Sequence, residues 1–153
     1  PMPQCSLATP TGTLVVTESG GAIVDISWGE PPAGGEDDTP LLRAARRQLA
    51  RYFAGEPVAF DLPLRPSGTP FQQAVWAQMR AIPYGEVRTY GDLARALGSA
   101  PRAVGTACGR NPIPIMIPCH RVVGGGGRLT GFSGGKGVET KQALLAIEGA
   151  VLV

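Results

Sequence analysis

Cys119 stands beside His120, the single histidine of the chain, inside the run Ile113-Pro114-Ile115-Met116-Ile117-Pro118-Cys119-His120-Arg121-Val122-Val123. The chemistry such a pair offers is nucleophilic. The thiolate is the attacking species, a free thiol with a pKa of about 8.5 is barely ionised at neutral pH, and a neighbouring imidazole is a common base for it. A cysteine in an apolar run is more often a small buried hydrophobe, but two features set this one apart. Pro118 restricts the backbone just before the thiol, and the polar His120-Arg121 pair interrupts an otherwise unbroken apolar stretch. The other two cysteines, Cys5 and Cys108, make an odd total with no CxxC pairing, so no disulfide framework or zinc knuckle is indicated and reduced thiols are expected. Cys108, Cys119 and His120 lack the spacing of a known metal site, so no metal is assigned. A papain-type hydrolase needs a histidine far along the chain from its cysteine, and none exists.

The elements that must position this segment can be read from capping and periodicity. Residues 13–17 and 22–28 are β-rich runs separated by Glu18-Ser19-Gly20-Gly21, which predicts a hairpin. After a loop over 31–38, Thr39 is expected to cap a helix with Pro40 in its first turn. Leu41, Leu42, Ala45, Leu49, Tyr52 and Phe53 recur there at helical spacing until Gly55 closes it. Residues 58–62 are expected to add a strand. This half holds no histidine and no cluster of reactive groups, so its expected role is scaffolding.

Leu62-Pro63-Leu64-Arg65-Pro66-Ser67-Gly68 breaks regular structure and divides the chain into 1–66 and 67–153. Thr69 and Pro70 then predict a helix start, with Phe71, Ala74, Val75, Gln78 and Met79 on one face, Phe71 and Trp76 expected in the core, and Ile82-Pro83-Tyr84-Gly85 as its end. The next stretch reads as a helix-turn-helix: Thr89 caps residues 90–97, Gly98-Ser99-Ala100 turns, and Pro101 opens a second helix reaching Gly109. Ala103, Gly105, Ala107 and Gly109 give the second helix a small-residue surface, and arginines stand at 88, 95, 102 and 110. An ordinary pair of packed helices has the same pattern, and the arginines shift the reading toward DNA. Asn111-Pro112 stops the helix. Gly124 to Gly127 form a turn, Leu129-Thr130-Gly131-Phe132-Ser133-Gly134-Gly135 a second loop, and residues 138–148 a final helix with Leu144, Leu145 and Ile147 inward and Glu148 at its end. Neither loop has the glycine order of a phosphate-binding motif. The fold class is therefore α/β, of the α+β kind: a small N-terminal β-sheet/helix lobe packed on a mainly helical C-terminal domain with a helix-turn-helix.

At 153 residues the chain can bury one good core or two small packed lobes. No run is apolar enough for a membrane span and no leader is evident, so a soluble, intracellular (cytoplasmic) protein is expected. The net charge of +2 hides an asymmetry. Residues 1–66 carry five basic and eight acidic groups, whereas 67–153 carry nine basic and four acidic. A basic half that holds the Cys-His pair fits a polyanionic partner.

Pro118-Cys119-His120-Arg121-Val122, preceded by Arg110-Asn111-Pro112-Ile113-Pro114-Ile115 and by Pro83-Tyr84-Gly85-Glu86-Val87, resembles the O6-alkylguanine-DNA alkyltransferases (methylated-DNA–protein-cysteine methyltransferases) over about residues 69–150. The resemblance implies that residues 1–66 are a reduced ribonuclease-H-like lobe and that the protein is a monomer without cofactor. It implies Cys119 as alkyl acceptor, His120 as its base acting through a water, Glu148 as the acid orienting the imidazole, and Asn111 as a hinge between recognition helix and cysteine segment. It further implies that the second helix of the helix-turn-helix enters the minor groove of double-stranded DNA containing O6-alkylguanine, with O4-alkylthymine as a second lesion. Ala103, Gly105, Thr106 and Arg110 would lie at that interface, with Arg102 filling the gap left by a flipped base and Tyr90 rotating the nucleotide's phosphate. Phe132, Ser133 and the backbone near Met116 and Val122 would line the base pocket. Adjacent residues of an extended chain point to opposite faces, which is the physical reason to expect a water between Cys119 and His120. The alternative is a DNA lesion-sensing module or regulator without transfer. Cys119 argues against the sensor, whose members replace the nucleophile.

Overall fold

In a computed structural model that describes residues 2–150, the chain runs β1 (Gln4–Thr9), β2 (Gly12–Ser19), β3 (Ala22–Trp28), α1 (Pro40–Phe53), α2 (Pro70–Arg80), β4 (Arg88–Thr89), α3 (Tyr90–Leu97), α4 (Pro101–Gly109), a 3-10 turn (Cys119–Arg121), β5 (Val122–Val123) and α5 (Val138–Glu148). The expected α+β architecture is therefore present: a β-sheet/helix lobe followed by a mainly helical part with a helix-turn-helix. No helix of the described residues is long and apolar enough to cross a membrane.

β1, β2 and β3 form one antiparallel sheet in that order. The β2–β3 hairpin turns on Gly20 and Gly21 at φ +57° and +80°, a left-handed pair that disfavours side chains and matches the twist of the strands. β1 lies outside the sequence expectation. Only Cys5 along it is fully buried, so its apolar alternation is faint, and its strand character comes from pairing Cys5 with Val16 and Leu7 with Leu14. Conversely, residues 58–62 form no strand. Pro57 and Pro63 flank the segment without N–H groups to donate, and the sheet is touched only next to it, where Ile23 N–H donates to Pro63 O (2.9 Å) and Arg65 N–H to Ile23 O (2.8 Å).

The helix starts follow their caps. The Thr39, Thr69 and Thr89 side chains accept from Leu42, Gln72 and Asp92 N–H, and the last two complete reciprocal capping boxes. α1 buries Leu42, Ala45, Leu49 and Tyr52. α2 buries Val75, Trp76 and Met79, and the Trp76 indole donates to Ala107 O (2.9 Å), tying α2 to α4. Phe71, expected in the core, is left 37% exposed in the first turn. α3 ends at Gly98, whose φ of +62° supplies the left-handed cap that turns the chain into α4. Both halves contribute to one hydrophobic core, running from Leu14, Ile23 and Leu49 through Trp76 and Val104 to Ile117 and Leu144.

Candidate active site

The cysteine segment is held at both ends by the helix-turn-helix. β4, which leads into α3, pairs in parallel with β5, Arg88 with Val122 and Thr89 with Val123. Behind α4, the Asn111 side chain donates to Ile117 O (2.8 Å) and accepts from Ile113 N–H (3.0 Å), bracing residues 113–117. Within that brace Ile115 has φ +74°, a conformation that β-branched residues rarely adopt and that costs about 1–3 kcal/mol. The surrounding packing holds it there, since Ile113, Ile115 and Ile117 are all at most 1% exposed.

Cys119, His120 and Arg121 form a 3-10 turn, not the extended strand that the sequence suggested. With three residues per turn, successive side chains diverge by about 120°. The separation of thiol and imidazole thus persists for a different reason, and His120 spends its Nε2 elsewhere. Nε2 lies 2.6 Å from Glu148 Oε2 and 3.3 Å from the Tyr52 hydroxyl, while Nδ1 is buried without a partner among the described residues. Glu148 in turn accepts from Tyr52 O–H (2.5 Å) and from both Arg121 Nε (2.9 Å) and a terminal Arg121 nitrogen (3.1 Å). The Gly85 N–H adds a fourth donor (3.1 Å), and Arg121 also donates to Ile82 O (2.8 Å).

Electrostatics fix the protonation states. Burial pushes the Glu148 carboxyl up, but the donors from His120, Arg121 and Tyr52 outweigh it and bring it down to about 2. A carboxylate can only accept, so neutral His120 carries its proton on Nε2 and presents a bare Nδ1 lone pair. Burial lowers the His120 pKa, against the opposing pull of Glu148. Burial raises the Cys119 thiol, with the Asn111 side chain and the Lys141 ammonium acting in the other direction. Cys5 and Cys108 are pushed by burial up to about 11 and about 12, so neither is a competing thiolate at neutral pH.

Two cavities reach Cys119. One, of about 370 Å³, lies between Asn111, Phe132, Ser133 and the β3 residues Asp25, Ser27 and Trp28. The other, of about 280 Å³, lies between Tyr90, Gly105, Cys108, Phe132 and Ser133. Phe132 and Ser133 line both cavities. Met116 and Val122 do not: Met116 opens onto a separate cavity of about 440 Å³ with Tyr84 and Arg121, and Val122 is sealed in the core. Met116 and the thiol thus line different cavities. Ser133 Oγ–H donates to Gly109 O (3.2 Å) and Trp28 stands edge-on to Phe132, so the 129–135 loop is held by both α4 and the sheet.

On α4, Val104, Ala107 and Cys108 point inward, while Arg102, Ala103, Thr106 and Arg110 share the exposed face and Gly105 is half-buried. Tyr90 is half-buried, and its hydroxyl donates to Thr130 O (3.2 Å).

Three residues of the site escaped sequence reasoning. Tyr52 looked like one more apolar position on the inner face of α1. Arg121 was conspicuous only as a polar residue in an apolar run, which did not reveal its partner. Lys141 gave no signal at all; it is buried, and its ammonium donates to Thr130 O (3.0 Å), Gly131 O (3.3 Å) and the Tyr90 hydroxyl (3.3 Å).

Comparison with known proteins places these residues in context. Residues 5–66 match the family model of the 6-O-methylguanine DNA methyltransferase ribonuclease-like domain, and residues 70–150 that of the 6-O-methylguanine DNA methyltransferase DNA binding domain. The constitutive methylated-DNA–protein-cysteine methyltransferase of Bacillus subtilis is 47% identical over 151 residues, covering 92% of this chain and 91% of the relative. The O6-methylguanine methyltransferase of Mycobacterium tuberculosis superposes with a TM-score of 0.84 at 40% identity, over 97% of this chain and 93% of the other. A structure of the Mycobacterium tuberculosis OGT in complex with DNA superposes with a TM-score of 0.83 at 42% identity, over 94% and 91% of the two chains. Fold, sequence and family models agree: the chain belongs to the 6-O-methylguanine-DNA methyltransferase family.

Proposed function

We propose that the protein repairs DNA by direct reversal, moving an alkyl group from O6-alkylguanine, and from O4-alkylthymine, onto its own Cys119. The observation that carries this reading is the placement of Cys119 on two cavities beside an imidazole whose Nε2 is committed to Glu148 and whose Nδ1 has no partner among the described residues. Cys119 Sγ attacks the alkyl carbon, an S–C bond forms and the C–O6 bond breaks. The thiol proton passes through a water to His120 Nδ1, and the departing guanine takes up one proton, so charge balances. The resting thiol is held protonated by burial, which is why a base is needed. Glu148 fixes the Nε2–H tautomer, and Asn111 holds the strained approach to the nucleophile. The thioether has no easy exit, so each molecule reacts once, without metal or cofactor.

The lesion carbon is inaccessible in a stacked duplex, so the base must flip out. The exposed face of α4 supports minor-groove docking by a monomer: Ala103, Gly105 and Thr106 are small enough for the helix to approach closely, Arg110 meets phosphate, and Arg102 takes the place of the extruded base. Tyr90 guides the nucleotide, whose base enters between Phe132 and Ser133. In this reading residues 67–153 bind and react, and residues 1–66 support them inside the cell. The test is incubation with duplex DNA carrying O6-methylguanine followed by intact-mass measurement and peptide mapping. One methyl group on Cys119 is the expected result. Tight lesion binding with no gain in mass would favour a sensor instead.

A further inference from the structure

The N-terminal lobe reaches into the hydrogen-bonded group around His120 through one side chain. Tyr52, in the last turn of α1, is fully buried and puts its hydroxyl 2.5 Å from Glu148 Oε2 and 3.3 Å from His120 Nε2. The partner separations are 96 and 68 residues, so this contact exists only because the two halves of the chain pack together. We infer that Tyr52 is a positioning residue for alkyl transfer, its hydroxyl sharing Glu148 Oε2 with His120 and thereby setting how strongly the carboxylate holds the imidazole. The inference rests on the proposed role of His120 as the base for Cys119.

The geometry leaves little freedom. Glu148 is an acceptor only, so the Tyr52 O–H must donate to it, and the phenol lone pairs are then left facing the His120 Nε2–H. That proton sits between two acceptors, the carboxylate and the phenol oxygen, which locks the tautomer with a basic Nδ1. The same O–H draws charge from Oε2, the oxygen that attracts an imidazolium. The groups that act on His120 are Glu148 on α5, Arg121 at its C-terminal side, Tyr52 on α1 and Lys141, with Cys119 adjacent in the chain and Tyr84 packed on the far side of Tyr52. Arg121 and Lys141 disfavour the imidazolium and Glu148 favours it. Tyr52 is the only one of them supplied by the N-terminal lobe, and it acts by weakening the favourable partner. A base that holds a proton too firmly cannot release it, and one too weak cannot take it from a buried thiol. The N-terminal lobe thus contributes to the chemistry, beyond the scaffolding role its sequence suggested.

Tyr52→Phe removes the hydroxyl and keeps the ring that packs on Phe53, Phe60 and Tyr84 at centroid separations of 5.3, 5.7 and 6.2 Å. Tyr52→Phe also removes the phenol oxygen that faces Nε2–H, but that contact is long (3.3 Å) beside the 2.5 Å bond to Oε2, so the stronger pull of the freed Oε2 on the imidazolium dominates and His120 gains a proton at higher pH. Because the chain has one histidine, its ring resonances belong to one residue. The experiment is an NMR titration of His120 in unreacted wild-type and Y52F protein, alongside the pH profile of the second-order alkylation rate with free O6-benzylguanine. The His120 titration and the acid limb of the rate profile are both expected to move up by roughly half to one pH unit in Y52F. Coincident wild-type and Y52F curves, or a downward shift, would overturn the inference and leave Tyr52 as packing. Should Y52F fail to fold, the wild-type protein decides. A downfield hydroxyl proton cross-relaxing with the His120 ring supports the contact, and its absence at low temperature refutes it. A wild-type protein that takes up no alkyl group would defeat the proposed function, while the imidazole titration would still report on Tyr52.

Discussion

Replacing Glu148 by glutamine tests how the whole site is held. One carboxylate oxygen accepts from Gly85 N–H and Arg121 Nε, the other from Tyr52, His120 and a terminal Arg121 nitrogen. A glutamine keeps one acceptor and turns the other into an NH2 group, so whichever way the amide is flipped it confronts at least two donors. Arg121, only 7% exposed, also loses its counter-charge. Removing one partner of a buried pair costs about 3–5 kcal/mol, because the other charge stays behind. The titration of the carboxyl gives a second route to the magnitude. The donors that hold its pKa down from 4.5 to about 2 point to a loss of the same order, a few kcal/mol at about 1.4 kcal/mol per pH unit. For a chain of this size each kcal/mol lowers the midpoint by about 2–4 °C, so Glu148→Gln should melt about 10 °C below wild type at neutral pH. Circular dichroism melts with a parallel denaturant titration measure it. A loss under about 1 kcal/mol would show that the carboxylate does not carry the load its five hydrogen bonds imply.

Acid should undo the same site in stages. His120 and Glu148 both titrate lower folded than unfolded, so both contribute stability that is complete above about pH 6.5 and is lost as pH falls, His120 first and Glu148 between 4.5 and about 2. A melting temperature that stays level from pH 7 to 3 contradicts this. Cys119→Ala should abolish alkyl transfer while retaining lesion binding, since in the proposed function the thiol supplies the chemistry and α4 the affinity; a variant that still gains the alkyl mass would move the acceptor elsewhere. Arg102→Ala should slow reaction on duplex DNA by orders of magnitude and barely alter reaction with free O6-benzylguanine, because only the duplex incurs an unstacking cost of roughly a few kcal/mol. Equal slowing on both substrates would remove Arg102 from the groove.

What the sequence determined by itself is what depends on near neighbours. Thr39, Thr69 and Thr89 cap their helices through groups three residues away, and Gly98 turns α3 into α4 with its own backbone, so these elements stand where local chemistry puts them. Cys119 and His120 were legible for a similar reason: a thiol, an imidazole and a proline in one apolar run are unusual wherever the chain carries them. The tertiary structure decided the rest. β1 becomes a strand through its ladder with β2, and residues 58–62 fail to become one because prolines leave no ladder to join. The 3-10 turn at 119–121, the left-handed backbone of Ile115 and the opening of Met116 onto a cavity other than the two at Cys119 belong to the folded segment and have no signature in the run of residue types. Trp28 comes to a cavity beside Cys119, and Tyr52 to Glu148, across most of the length of the chain. No period or spacing in the sequence encodes such meetings. A buried carboxylate must find donors wherever the folded core brings them, and here one of them comes from the opposite lobe.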